Sequence, residues 1–151
     1  MRRKIWFKSV LLIAVMYSIV GWAQESSDPN LRVEIVGLSK LSGYVFVSVY
    51  DSESTWLGSE RVVQRKVNIQ EALQGEVVVL ELALASGEYA LSVFYDVNGN
   101  GKLDSNFMKI PKEPIALSNN TKPSFGPPKY EDAAFVTSDT LIVQRLVMEV
   151  D

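Results

Sequence analysis

The 151-residue sequence contains no cysteine and no histidine. That excludes disulfides, Cys/His zinc sites, a Ser-His-Asp triad and a Cys-His dyad. Acid–base chemistry in such a chain falls to carboxylates, Lys or Tyr. Metal binding falls to hard cations that take oxygen ligands. A membrane-spanning run is also missing, since the apolar stretch Ser9–Val20 has 12 residues where a bilayer needs about 20. No helical period is sustained beyond the first 23 residues, so helices layered on a parallel sheet are not expected.

What is present starts with a leader. Arg2, Arg3, Lys4 and Lys8 form a positive segment, Ser9–Val20 is apolar, and Gly21-Trp22-Ala23 is a small-x-small site before Gln24. The pattern predicts a signal peptide over residues 1–23. A lipid anchor at the cleavage site would need a Cys, which is absent. Four of the fifteen basic residues leave with the leader and all eighteen acids stay, so the remaining 128 residues carry a net charge of −7. That balance argues against nucleic acid, anionic membrane surfaces and membrane insertion after cleavage. Export without Cys points to a bacterial periplasmic or secreted protein that relies on packing for stability.

Residues 24–30 (QESSDPN) are polar and predict a disordered lead-in to a single domain over 31–151. Seven β-type runs follow: 31–36, 43–51, 62–69, 77–84, 87–96, 133–136 and 140–150. Val45, Val47 and Val49 share one face of the second run, with Tyr44, Phe46 and Tyr50 on the other. Tyr89, Leu91, Val93 and Tyr95 share a face of the fifth. Residues 70–74 could form one helical turn. The pattern predicts an all-β fold, an antiparallel Ig-like or transthyretin-like β-sandwich of about seven strands. Residues 97–130 show no strand signal, hold five of the six prolines, and carry Phe107, Met108, Ile110, Ile115, Leu117, Phe125 and Tyr130. So many apolar residues predict a long loop that is ordered and packed.

One motif carries chemistry. Asp96-Val97-Asn98-Gly99-Asn100-Gly101-Lys102-Leu103-Asp104 fits the first nine positions of a calcium loop, D-x-[DN]-x-[DN]-G-x-x-D. Calcium takes six to eight oxygens. Asp96, Asn98, Asn100 and Asp104 would supply side-chain oxygens and Lys102 its carbonyl, while Gly101 permits the turn and Leu103 pins the loop. The twelfth position, normally a bidentate Glu, is Phe107. Counting strands up and down places Glu131 and Asp132 at the same end as candidate replacements. Asn106 and Glu113 are nearer options, and Asp51 falls at the opposite end. With two carboxylates, Ca2+ affinity is expected in the roughly 10⁻⁴–10⁻³ M class. The competing reading is a plain turn, because Asn-Gly repeated twice is strong turn chemistry.

The series Gly87-Glu88-Tyr89-Ala90, Asp96–Asp104, Pro111-Lys112-Glu113-Pro114, Ser118-Asn119-Asn120 and Pro128-Lys129-Tyr130-Glu131-Asp132-Ala133 resembles a family of small secreted bacterial proteins, domain of unknown function 2141. In that family a His often stands at the position of Tyr95 and a Gly is common near Lys109. The family has no assigned activity, so the resemblance implies secretion and a β-rich domain and supplies no reaction.

Three functions are therefore weighed. The first is a non-catalytic exported β-sandwich, a candidate binding module for a protein, peptide or glycan, with an ion-stabilised loop. The second is a carbohydrate-binding module in which Trp56, with Tyr44, Tyr50 or Tyr130, stacks on sugar rings; such aromatic residues are more often packed. The third is a hydrolase using Asp96, Asp104 or Glu113 as a carboxylate pair, although nothing in the spacing singles out a pair.

Overall fold

The structure, a computed structural model, describes residues 28–108, 110–122 and 126–148. The leader expected over 1–23 lies outside these residues, as do Lys109, Phe125 and the last part of the 140–150 run.

All seven runs form strands. They are β1 (Leu31–Val36), β2 (Tyr44–Tyr50), β3 (Val63–Asn68), β5 (Val77–Leu82), β6 (Gly87–Asp96), β8 (Phe135–Thr137) and β9 (Ile142–Val147). The helical turn falls at α1 (Ile69–Ala72), capped by Asn68 Oδ1, which accepts from the N–H groups of Gln70 and Glu71. Two further short strands appear, β4 (Leu73–Gln74) and β7 (Ile115–Leu117), with a second short helix, α2 (Tyr130–Ala133). One sheet has the order β4-β5-β1-β9. The other runs β3-β2-β6-β7, with β8 also paired to β6.

Alternation builds the core between them. Leu31, Val33 and Ile35 of β1 face Val45, Val47, Val49, Leu91 and Val93 of the other sheet, and all are buried. Tyr89 and Tyr95 join them, as the pattern predicts. On the outer face Phe46 and Phe94 sit opposite each other in register and stack at 4.8 Å.

The fold is an all-β sandwich that departs from the expected one in three respects. First, β1 and β9 pair in parallel. Counting strands gives both the same direction; what it does not give is that they are neighbours. Second, the 97–130 segment is not one loop, because β7 lies inside it. β7 pairs with Phe94–Ser92 and β8 with Tyr89–Gly87, so the two are halves of one edge strand along β6, broken by residues 118–134. Third, Asn30 is no part of a disordered lead-in. It is buried, its side-chain NH2 donates to the Leu84 and Ser138 carbonyls, and its Oδ1 accepts from Leu84 N–H.

Ser118 fills the gap in the broken strand. Its hydroxyl is fully buried, accepts from Leu91 N–H at 2.9 Å and donates to the Ala133 carbonyl. The next two residues reach the other sheet. Asn119 N–H donates to Gln144 Oε1, Asn120 Nδ2 donates to the Arg145 carbonyl, and Asn120 Oδ1 accepts from Val147 N–H. The Asn120 amide thus takes the bonds that another strand would make to the β9 edge.

Candidate functional site

β6 delivers Asp96 to the end of the sandwich, opposite Tyr44 of β2. The residue is 4% exposed, and its carboxylate receives three backbone N–H groups: Gly99 (2.9 Å) and Asn100 (3.1 Å) on Oδ1, and Gly101 (2.9 Å) on Oδ2. Curling the chain around one carboxylate requires left-handed backbone at Gly99 and Gly101, both at φ +76, which a side chain would resist. Two Asx turns continue the curl: Asn98 Oδ1 accepts from Asn100 N–H, and Asn100 Oδ1 accepts from Lys102 N–H. The Nδ2 groups of Asn98 and Asn100 then both donate to Asp104 Oδ2. Three of the motif's side chains, Asn98, Asn100 and Asp104, therefore meet, through amide nitrogens rather than oxygens, while the Asp96 carboxylate is turned to the loop backbone. Lys102 is exposed, as is Leu103, which does not pin the loop to the core.

Glu113 closes the loop from outside. It is 7% exposed. Its Oε1 accepts from Val97 N–H at 2.9 Å and its Oε2 from Asp104 N–H at 3.1 Å, so one carboxylate spans the loop's two ends. Of the candidates for the missing position-twelve partner, Glu113 alone touches the loop backbone. Asn106 instead clamps the next hairpin, its Oδ1 accepting from Met108 and Ile110 N–H. Glu131 and Asp132 lie elsewhere, because α2 leads into β8 and the lower half of β6. There Tyr130 bonds the Glu88 carbonyl. The unrecognised β7 had carried the chain down the sheet. Asp51 follows Tyr50, paired with Ala90, and is at the far end as expected. Beside the loop an open cleft of about 870 Å³ follows β7, lined by residues that include Val97, Ile110, Lys112, Leu117 and Val147.

The aromatic candidates do not form a platform. Trp56 meets Tyr50 and Tyr130 edge-on, with centroids 5.2 and 6.0 Å away, and its Nε1–H donates to the Pro128 carbonyl. This cluster seals the Gly87 end. Burial pushes the Tyr130 hydroxyl pKa up, helped by the Glu88 and Asp51 carboxylates. Tyr44 is covered by the Lys66 ammonium, 3.9 Å from its ring centre.

Residues 33–143 match the model of a family described as uncharacterised proteins conserved in bacteria, domain of unknown function 2141. The chain belongs to this family. No curated protein and no solved structure matches it. The residues that carry the family resemblance are those just described: the Asp96 curl, Glu113 between two prolines, the Ser118-Asn119-Asn120 triplet and α2. Tyr95, where the family often has His, is buried in the core and donates its hydroxyl to the Ser42 carbonyl at 3.1 Å. In this family member the position fixes the link between β1 and β2.

Proposed function

We propose that this member of the family is an exported, non-catalytic β-sandwich module, a candidate binding protein, whose Asp96–Asp104 loop takes calcium. The observation that carries the ion reading is the meeting of Asn98, Asn100 and Asp104 at one carboxylate oxygen, beside the buried Asp96. Among the described residues no cluster of three or more carboxylates could hold a metal, so amide and carbonyl oxygens must complete the set. The donors fit on one condition. Both Asn amides turn over, so that each Oδ1 replaces the Nδ2 facing Asp104. Turning gives up the hydrogen bonds to Asn100 and Lys102 N–H, which supports affinity at the weak, roughly 10⁻⁴–10⁻³ M end. The leader sequence supports export.

Other readings have less support. Sugar stacking requires an open aromatic face, and Trp56 is fixed edge-on by two tyrosines. Carboxylate hydrolysis requires oxygens free to reach substrate, whereas both oxygens of Asp96 and of Glu113 hold backbone N–H groups. A peptide partner would add a strand in the cleft along β7.

Thermal unfolding of residues 24–151 with calcium from 0.1 to 10 mM tests the ion reading. Ligand at roughly 20 times Kd adds about 1.8 kcal/mol, a rise in Tm of about 5–9 °C for a chain of this size. Asp104→Asn should abolish the rise. No rise in the wild type at 10 mM overturns the reading.

A further inference from the structure

Both Asn-Gly dipeptides of the chain, Asn98-Gly99 and Asn100-Gly101, lie in the Asp96 curl. Asn-Gly is chemically fragile, because the Gly nitrogen has no side chain beside it and can attack the Asn Cγ. The nitrogen gives up its proton and bonds Cγ, the Cγ–Nδ2 bond breaks, and the proton leaves with the Nδ2 group as ammonia. Water then opens the cyclic imide at either carbonyl, leaving aspartate or isoaspartate. All four residues are exposed, so water has access. Yet the curl cannot do without the dipeptides. Gly99 and Gly101 stand at φ +76, which a side chain resists. An Asp at 98 or 100 would set a second carboxylate against Asp104 Oδ2, where Asn98 Nδ2 donates at 2.5 Å and Asn100 Nδ2 at 3.0 Å.

Every group that closure must move is bound, in the same pattern at both dipeptides. The attacking N–H groups of Gly99 and Gly101 donate to Asp96 Oδ1 and Oδ2, each at 2.9 Å. The carbonyls under attack accept: Asn98 Oδ1 from Asn100 N–H at 3.0 Å, and Asn100 Oδ1 from Lys102 N–H at 2.8 Å. The departing Nδ2 groups share Asp104 Oδ2. An imide nitrogen has no hydrogen, so closure at either glycine takes a bond from the buried Asp96 for good. As the proton goes, negative charge builds on the Gly nitrogen beside that carboxylate, and like charges repel. Closure also requires Cγ to swing onto the nitrogen, against the bonds that hold each Asn amide at both of its atoms.

We propose that Asn98 and Asn100 are paired latent modification sites, which the Asp96 and Asp104 carboxylates guard against imide closure in the folded protein. Loss of one charge-assisted bond on the way to the imide slows closure about tenfold or more. The guard is shared, so its failure is shared. Aspartate at either position sets a carboxylate against Asp104, and isoaspartate lengthens the backbone of the curl by one methylene. Either product loosens the bonds that restrain the other dipeptide. A first event is therefore slow and the second follows quickly. The guard lies in the same loop as the calcium reading but does not rest on it, because protein groups alone make these bonds.

The test is ageing of residues 24–151, which contain every described element, in mildly alkaline buffer beside a synthetic peptide of residues 94–106. EDTA is present throughout, so a failed calcium reading leaves this test intact. Peptide mapping by mass spectrometry reads aspartate and isoaspartate at 98 and 100. The folded protein should react about tenfold or more slowly than the peptide. Doubly modified chains should exceed the number expected of independent sites. Asp104→Ala should speed closure severalfold at both positions, as should Asp96→Asn. Asp104 is only partly buried, so its variant should stay folded by circular dichroism even where Asp96→Asn does not. Ser118→Ala, which weakens the fold away from the curl, should leave the rate unchanged. Equal rates in the folded protein and the peptide overturn the proposal, as do wild-type rates in Asp104→Ala. Independent modification of the two sites overturns the shared guard. Acceleration by Ser118→Ala equal to that by Asp104→Ala also overturns the proposal, since global opening rather than the curl would then set the rate.

Discussion

Glu113→Ala should be among the most damaging single changes at the Asp96 end of the sandwich. The carboxylate is buried and makes two charge-assisted bonds, at 2.9 Å to Val97 N–H and 3.1 Å to Asp104 N–H. Hydrogen bonds to charged groups contribute about 1.5–3 kcal/mol each, so the pair sets an upper bound of about 6 kcal/mol. Val97 is half exposed, and water can reach its N–H once the side chain is gone. That lowers the expected loss to about 2–4 kcal/mol, a large share of the 5–15 kcal/mol by which domains are stable. For a chain of this size each kcal/mol moves Tm by about 3–5 °C, so the midpoint should fall by roughly 6–20 °C. Glu113→Gln keeps the shape but turns an NH2 toward one of the two N–H donors, and should recover only part of the loss. Glu131→Ala, an exposed acid on α2, is the control and should stay within about 0.5 kcal/mol. Chemical denaturation followed by circular dichroism reads all three. If Glu113→Ala unfolds within about 0.5 kcal/mol of the wild type, the carboxylate does not hold the loop and the reasoning fails.

Ser118→Ala should cost about 1–3 kcal/mol, because it strands Leu91 N–H and the Ala133 carbonyl in a fully buried gap; an unchanged urea midpoint would contradict that role. Tyr130 supplies a pH prediction. Its pKa is raised above the usual 10.0, first by burial and then by Glu88 and Asp51. The unfolded chain therefore gives up this proton first as pH climbs. Stability from the group is complete below pH 10 and is lost as pH rises through the folded value. Tyr130→Phe should flatten the fall in Tm between about pH 9 and 11, and an equally steep fall in both proteins refutes the assignment. Lys129, whose pKa is raised by Glu131, is present in both and cancels from the comparison.

The long strands were legible because burial on one face imposes a period of two that β1, β2 and β6 all display. β4 and β7, of two and three residues, are too short to alternate, and β7 also follows Pro114 directly. Missing β7 had a further cost. It put Glu131 and Asp132 at the wrong end, since a break in an edge strand leaves no local signal. The Asp96 curl was legible because the Asx and Gly spacing is itself the geometry: each Asx oxygen reaches an N–H two to five residues on. Glu113 could only be one option among several. Its partners lie 9 and 16 residues away, and two flanking prolines mark rigidity without direction. Asn106, Ser118 and Asn120 read as loop polarity, yet each places an amide or hydroxyl where a strand's backbone would otherwise be.

The interrupted edge of β6 also gives the motifs of the family resemblance a common physical reading. Gly87–Ala90 starts β6 and pairs with β8; Asp96–Asp104 ends β6 and reverses the chain; Glu113 ties that reversal to β7. Ser118 fills the break, Asn119 and Asn120 hold β9, and α2 returns the chain to the lower half of the edge. A sandwich edge built from two short pieces has too few ladder bonds to hold itself, and side chains supply the remainder. Hence the ordered series reports first on how this edge is made. Phe107, Met108 and Ile110 do not belong to that construction. Their removal would leave every one of these bonds in place, which makes them the residues in this region whose exposure the fold itself does not explain.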